Sequence, residues 1–130
     1  MNSEEIYTEE DYFFFDSYAF FEILKGNPSY EKYKKGLIVT TKLNLFELYL
    51  GLLRDLDEET AEKYFDKYYL FIKDFDENVI KQAAKLKNKL NKRDLSMTDC
   101  IGYIFAKQLG IKFLTGDKEF QDMDNVEFVK

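Results

Sequence analysis

The sequence predicts an α/β fold, a three-layer α/β/α sandwich whose central, mostly parallel sheet is covered by helices on both faces. Two observations lead to it: several apolar segments have the length of strands, and longer helical segments separate them. Strands that are buried on both faces are typically continuous apolar runs, and alternation with helices is typical of parallel sheets. The four predicted strands are YFFF at 12–15, LIVT at 37–40, IKFLT at 111–115 and VEFV at 126–129.

The helical segments are bounded by capping and stop residues. Ser17 is predicted to begin the first helix and Gly26 to end it. Asn44 is predicted to cap an apolar helix, and Gly110 to stop the last one. The segment 70–75 fits either a short strand or the end of the helix before it. Helices after the first are predicted over 29–35, 45–53, 58–69, 76–91 and 97–109.

The helix over 76–91 carries a regular apolar stripe. Val79, Ala83, Leu86 and Leu90 recur at spacings of four, three and four residues. This spacing places them on one face of an amphipathic helix, which packs that face against the core.

Charge is unevenly distributed along the 130 residues. The net charge is −6, but residues 1–11 hold five acids and no Lys or Arg. Residues 12–130 hold the other 20 acids and all 19 bases, a net of −1. We therefore predict an acidic tail over 1–11, either disordered or folded over basic surface, and one domain over 12–130.

The composition favours a cytoplasmic protein. There is no run of 18 apolar residues, so no membrane span is expected, and the acidic amino terminus does not resemble a signal peptide. The single cysteine, Cys100, cannot form an intramolecular disulfide and lies in an apolar helix, where we predict a core role.

The residue types present restrict the possible chemistry. The sequence has no histidine and one cysteine, which excludes Ser-His-Asp and Cys-His catalysis and the usual zinc sites. Carboxylates, hydroxyls and lysines remain. Carboxylates prefer hard cations such as Mg²⁺ or Mn²⁺.

Four carboxylates occupy positions near predicted strand ends or helix starts. Asp16 directly follows the first strand, Asp117 follows the strand IKFLT, and Glu47 and Asp99 lie in the first turns of two apolar helices. Ligands of parallel sheets bind at the carboxyl ends of the strands, where these residues are expected to meet. Each also has a local interpretation, because Asp16, Glu47 and Asp99 could be helix caps and Asp117 a turn residue.

Convergence of these acids would itself predict a cation. Two carboxylates about 4 Å apart repel by roughly 4 kcal/mol at an effective dielectric constant of about 20. Such a group protonates or destabilises the fold unless a cation lies between its members. A Mg²⁺ or Mn²⁺ site of this kind is suited to activating water and stabilising charge on a phosphodiester.

The order of four segments resembles the PIN domain family, in particular the small single-domain proteins that include the VapC toxins. The resemblance covers residues 12–130, and its strongest part is the third segment. The segments are FFFDSYAFFEILKG, VTTKLNLFELYLGLL, DLSMTDCIGYIFAKQLGIKFLTGDKEF and NVEFV.

This resemblance implies a doubly wound sheet and a metal-dependent ribonuclease. Its acidic set corresponds to Asp16, Glu47, Asp99 and Asp117, which would bind Mg²⁺ or Mn²⁺ directly or through water. Further residues are implied as contacts to substrate phosphate or metal-bound water, or as outer helpers, although Ser17 and Thr115 fit local helix and turn capping equally well. They are the hydroxyls of Ser17 and Thr115 and the carboxylates of Glu119 and Asp122.

Basic and aromatic residues suggest partners. Residues 81–93 hold six bases and no acid, either a solvated face or an RNA contact. Aromatic residues over 64–71, beside the helix 45–53, are mostly core, and some would form a homodimer face or a groove for a partner helix. The family resemblance adds an antitoxin protein as a possible partner. The bases offered as RNA contacts are Lys81, Lys85, Lys89, Lys92 and Arg93.

Two other functions remain open at this point. One is a catalytically silent PIN-like module that binds RNA or protein. The other is a different Mg²⁺-dependent phosphoryl enzyme, such as a phosphatase or receiver domain, for which DFDEN at 74–78 is the tempting motif. A phosphatase of that kind needs its acids at the end of the first strand, where only Asp16 stands, so Asp74 and Asp76 are interpreted as loop and cap residues.

Overall fold

The computed structural model describes residues 6–130, so part of the predicted acidic tail lies outside the described residues. The strands are β1 (Tyr12–Phe15), β2 (Leu37–Val39), β3 (Lys112–Thr115) and β4 (Val126–Phe128). The helices are α1 (Ser17–Leu24), α2 (Lys42–Asp55), α3 (Glu58–Tyr69), α4 (Glu77–Lys89) and α5 (Met97–Leu109). Short 3₁₀ turns cover Glu9–Asp11, Pro28–Tyr33 and Lys118–Phe120.

The four strands form one sheet in the order β2-β1-β3-β4, and every pair is parallel. The chain moves outward from β1 to β2 on one side and from β3 to β4 on the other. The strand order therefore reverses between β1 and β3, and this switch point is where ligands bind in open α/β sheets.

Helices cover both faces of the sheet, as predicted. On one face α4 and α5 pack on Phe14, Val39 and Phe113, and on the other α1, α2 and α3 pack on residues including Phe15 and Leu114. These side chains alternate between faces because successive residues of a strand point in opposite directions. The sheet is thus the middle layer of three, and the predicted fold class is confirmed.

Close packing of α5 on the sheet depends on a glycine. A β-carbon at Gly102 would lie 2.8 Å from the Phe14 ring and 3.1 Å from the Phe113 ring. The helix can approach these stacked rings only because the residue has no side chain. Cys100, in the same helix, is 1% exposed, which confirms its core role.

One capping prediction was wrong. The second helix begins at Lys42 and its N-cap is Thr41, whose hydroxyl accepts from the backbone N–H of Asn44. Asn44 therefore lies inside the first turn. The cap was misplaced because Thr41 follows directly on the strand segment, while Asn44 stands next to the apolar run. By contrast, Asp76 caps α4, as its interpretation as a cap residue required.

The remaining differences are small. Segment 70–75 is a loop that touches the sheet once, through a parallel bridge between Ile72 and Thr40. The stripe of α4 lies against the core, with Val79 and Ala83 buried. In the part of the chain that the structure describes, no helix is long and apolar enough to cross a membrane.

Candidate active site

The switch point between β1 and β3 holds a buried carboxylate. Asp16 follows β1 and is the N-cap of α1, and Thr115 is the last residue of β3. The Thr115 hydroxyl donates to Asp16 Oδ2 over 2.8 Å. Asp16 is 2% exposed and Thr115 is fully buried. The side chain of Asp16 is therefore fixed by the two central strands of the sheet.

Ser17 joins Asp16 to a second carboxylate. Its backbone N–H donates to Asp16 Oδ1 over 2.8 Å, and its hydroxyl donates to Glu47 Oε1 over 2.5 Å. Glu47 lies in the second turn of α2, because that helix starts at Lys42 directly after β2. It is not part of a cap, so the local interpretation of Glu47 was wrong. Residues 30 positions apart meet at one edge of the sheet.

Asp99 is a capping residue at the start of α5. Ser96 Oγ accepts from the Asp99 backbone N–H over 3.0 Å, and Asp99 Oδ2 accepts from the Ser96 backbone N–H over 2.9 Å. This reciprocal pair confirms the capping interpretation. One carboxylate oxygen carries the cap, and the half-buried side chain keeps the other beside the remaining acids.

Asp117 is held by the turn after β3. Its backbone N–H donates to Thr115 Oγ1 over 3.1 Å, and its Oδ1 accepts from the backbone N–H of Glu119 over 3.0 Å. The turn can pack this closely only because Gly116 has no side chain. A β-carbon there would collide with Val129 O, Tyr18 and the Tyr30 hydroxyl. The Thr115 hydroxyl thus donates to the carboxylate of Asp16 and accepts from the backbone N–H of Asp117, which links the turn after β3 to the buried acid.

Burial and mutual repulsion govern the charge of this group. The pKa of Asp16 rises to about 8, first because of burial and then because of Asp99 and Glu47, although hydrogen bonds from Thr115 and Ser17 oppose the rise. The pKa of Asp99 is also raised, chiefly by burial and further by Glu47 and Asp117. The four predicted acids therefore lie close enough to interact electrostatically.

A divalent cation would relieve this repulsion. Among residues 6–130 no ion pair joins any of the four acids to a Lys or Arg within 4 Å. In the same range no three acids stand in a geometry that could hold a metal ion among themselves. The donor set fits a hydrated ion rather than a protein cage, because Mg²⁺ usually keeps several waters and uses one or two carboxylates.

Two of the predicted helper residues have other contacts. Arg93 forms a double hydrogen bond with Asp122, at 2.8 and 3.0 Å, and also donates to the backbone oxygen of Glu119. Asp122 therefore anchors the loop after Asp117 to the turn that follows α4. Arg93, offered as an RNA contact, is the other half of this ion pair.

The predicted lysines lie on the solvent side of α4 and the turn after it. Lys81, Lys85, Lys89 and Lys92 are all exposed. Lys81 has a long contact of 3.9 Å with Glu77. Their placement is compatible with both a solvated face and a phosphate contact.

Sequence reasoning missed two buried polar residues beside the site. Asn44 Nδ2 donates to Ser17 Oγ over 3.0 Å, and the Thr41 hydroxyl donates to Asn44 Oδ1 over 2.7 Å. Both side chains are about fully buried. The segment TTKLNLFEL could have revealed them, because in it two polar residues stand between a buried strand and an apolar helix. Only a cap was predicted there.

The sequence profile of the PIN domain matches residues 13–126, which is most of the chain. The chain belongs to the PIN domain family. The match includes all four acids at the edge of the sheet and the switch point between β1 and β3.

Solved structures share this fold. VapC20 of Mycobacterium tuberculosis, described as a sarcin-ricin loop cleaving toxin, matches with a TM-score of 0.77 and 15% identity over 91% of this chain and 99% of that one. VapBC-1 of nontypeable Haemophilus influenzae matches with a TM-score of 0.70 and 19% identity, over 90% of this chain and 96% of that one. VapBC2 of Rickettsia felis, bound to a promoter DNA fragment, matches with a TM-score of 0.69 and 17% identity, over 92% of this chain and 99% of that one.

These likenesses confirm the resemblance and the α/β fold. At such identities the structures establish the fold alone, and no curated protein matches this chain in sequence.

Proposed function

We propose that this PIN domain is a metal-dependent endoribonuclease. The observation that supports this most is the meeting of Asp16, Glu47, Asp99 and Asp117 at the switch point of a parallel sheet, with raised pKa values at Asp16 and Asp99. Convergent acids without a paired base favour a divalent cation, and clustered pKa shifts are typical of functional sites.

Each acid has a role suggested by its contacts. Asp16, the most rigid, would hold Mg²⁺ or Mn²⁺ directly, and Asp99 and Asp117 would hold it directly or through water. Glu47 would orient the attacking water with the oxygen that Ser17 does not use. When bound, the cation would stabilise negative charge on the phosphodiester and make water a better nucleophile. Ser17 and Thr115 would keep these carboxylates in place.

The decisive experiment is a cleavage assay on a mixed panel of RNAs with Mn²⁺, Mg²⁺ or EDTA, run beside Asp99→Asn. We expect internal cleavage with either metal, none in EDTA, and a loss of roughly 100-fold or more in the variant. Tyr103→Phe, which removes a hydrogen bond to Asp124 elsewhere, is the matched control. Equal cleavage by Asp99→Asn, or cleavage in EDTA, would refute the proposal.

The exposed lysines are proposed to contact RNA phosphates. Replacing Lys81, Lys85 and Lys89 together by Gln should weaken RNA binding and flatten its salt dependence, because each lost phosphate contact reduces the slope by about 0.7 for a single strand. The measurement is a binding constant at several NaCl concentrations with an Asp16→Asn protein. An unchanged slope would assign these lysines to a solvated face.

Apolar surface supports a protein partner. Phe46, Leu50 and Leu53 recur along one side of α2 and are 66%, 43% and 40% exposed. We propose that such surface serves a homodimer and an antitoxin protein, since one structural neighbour is a toxin–antitoxin complex from Klebsiella pneumoniae. A monomer at high concentration by light scattering would reject the homodimer. Growth arrest on expression, absent in Asp16→Asn, would support the toxin role.

A second function has one observation in its favour. Since no three acids among residues 6–130 are arranged as ready ligands, the domain could bind RNA or protein without catalysis. Titration with Mn²⁺ by calorimetry separates the two. RNA binding without saturable Mn²⁺ binding would favour the silent module.

A further inference from the structure

A continuous polar chain lies buried behind the candidate site. It runs from Thr41 through Asn44 and Ser17 to Glu47, with donor–acceptor distances of 2.7, 3.0 and 2.5 Å. Asn44 is fully buried and Thr41 is 1% exposed. Buried polar groups at this depth are costly unless every one is satisfied, and each of these has a partner.

The direction of the hydrogen bonds in this chain is set from its Glu47 end. A carboxylate oxygen accepts, so Ser17 donates its hydroxyl proton to Glu47 Oε1 and needs a donor on its other side. That donor is the side-chain NH₂ of Asn44, which leaves Asn44 Oδ1 to accept from the Thr41 hydroxyl. Thr41 Oγ1 in turn accepts from the backbone N–H of Asn44 over 3.3 Å.

This polarity has a consequence for the carboxylates. Ser17 also donates its backbone N–H to Asp16, so one residue holds an oxygen of each acid. If the Ser17 hydroxyl turned away, Glu47 would lose the hydrogen bond that ties it to the residue next to Asp16. The side-chain NH₂ of Asn44 opposes that turn, because it donates to Ser17 Oγ and leaves the hydroxyl proton directed at Glu47.

We propose that Asn44 is a positioning residue, which orients the Ser17 hydroxyl and through it holds Glu47 beside Asp16. This rests on the proposed metal-dependent function, because the benefit of the arrangement is a preformed carboxylate pair. Partners of this kind behind a metal site typically change metal affinity or activity by about 10–100-fold when they are lost.

The first test is Mn²⁺ binding by calorimetry, without RNA, for wild type, Asn44→Leu, Ser17→Ala and the double variant. We expect Asn44→Leu to raise the dissociation constant about 10-fold. The double variant should be no weaker than Ser17→Ala, because Asn44 acts through Ser17 and effects on one path do not add. Additive losses, or a change of less than about two-fold in Asn44→Leu, would overturn the proposal.

Two controls separate positioning from folding. Tyr103→Phe removes a partly buried hydrogen bond to Asp124, away from the site, and should leave Mn²⁺ affinity unchanged. Asn44→Ser is the second variant in case Asn44→Leu does not fold, since a serine is polar but too short to reach Ser17. It should weaken Mn²⁺ binding as Asn44→Leu does.

A measurement on metal-free protein distinguishes this proposal from the function itself. The ¹³C shift of the Glu47 side-chain carboxyl should move in Asn44→Leu and in Ser17→Ala, and stay in Tyr103→Phe. If wild type binds no Mn²⁺, the proposed function fails, and the carboxyl shift still decides on positioning. An unmoved shift in Asn44→Leu would overturn the role of Asn44.

Discussion

The two halves of the candidate site are built in different ways. The buried half consists of Asp16, Ser17 and Thr115, and its contacts join residues 99 and 30 positions apart. The outer half consists of Asp99 and Asp117, whose hydrogen bonds reach residues within three positions. Rigid placement of Asp16 thus depends on the assembled sheet, while Asp99 and Asp117 are held by local turns.

The two halves also differ in how their pKa values respond to burial and to neighbouring charge. Burial and the nearby acids raise the pKa of Asp16 to about 8. The pKa of Asp99 is also raised, but its hydrogen bonds with Ser96 oppose the rise. Ionising a buried acid such as Asp16 costs stability as the pH rises. A cation bound beside it would offset that cost.

The largest effect is expected from Asp16→Asn. The amide keeps the size of the side chain and removes the charge that would hold the cation. We expect Mn²⁺-dependent RNA cleavage to fall by about 10³-fold, equivalent to about 4 kcal/mol. The folded state should persist, as measured by circular dichroism and thermal melting. Near wild-type cleavage would show that the buried half is structural only.

The pH dependence of stability is the next test. The raised pKa lets the folded protein keep a proton on Asp16 up to about pH 8, whereas in the unfolded chain the pKa returns to its ordinary value of 3.8. The free energy of unfolding of metal-free protein should therefore fall as pH rises between these values and level off above pH 8. Urea titrations at pH 5 and 8 measure it. In Asp16→Asn this fall should be largely absent.

A smaller effect is expected in the outer half from Ser96→Ala. This change removes the hydroxyl that caps α5 and should cost about 1 kcal/mol of stability. Cleavage should fall only several-fold, because Asp99 keeps its bond to the Ser96 backbone N–H. Chemical denaturation and the cleavage assay measure the two effects. A cleavage loss as large as that of Asp16→Asn would mean that the cap itself fixes the metal site.

The smallest effect is expected from Arg93→Lys. Lysine cannot form the double bond with Asp122, but the pair is exposed and screened by salt. We expect a slight loss of thermal stability that disappears at high NaCl, with cleavage close to wild type. A large cleavage loss would indicate that the Asp117 loop depends on this ion pair.

The sequence predicted much of this fold because the relevant patterns are short. The aromatic run of β1, the α4 stripe and the capping pair of Ser96 and Asp99 all lie within a few residues, where local geometry decides. The resemblance to PIN domains pointed to the four acids. Asn44 was wrongly interpreted as a cap because its partner, Ser17, is 27 positions away.

By itself, then, the sequence determined the succession of strands and helices along the chain, the apolar face of α4, and the caps at Asp76 and Ser96, although not the cap of α2. Only the tertiary structure decided that Ser17 bridges Asp16 and Glu47, and that Arg93 joins Asp122. The physical reason is that these contacts form between elements brought together by packing of the two cores on the sheet. No spacing along the chain encodes which polar side chains will share one buried edge.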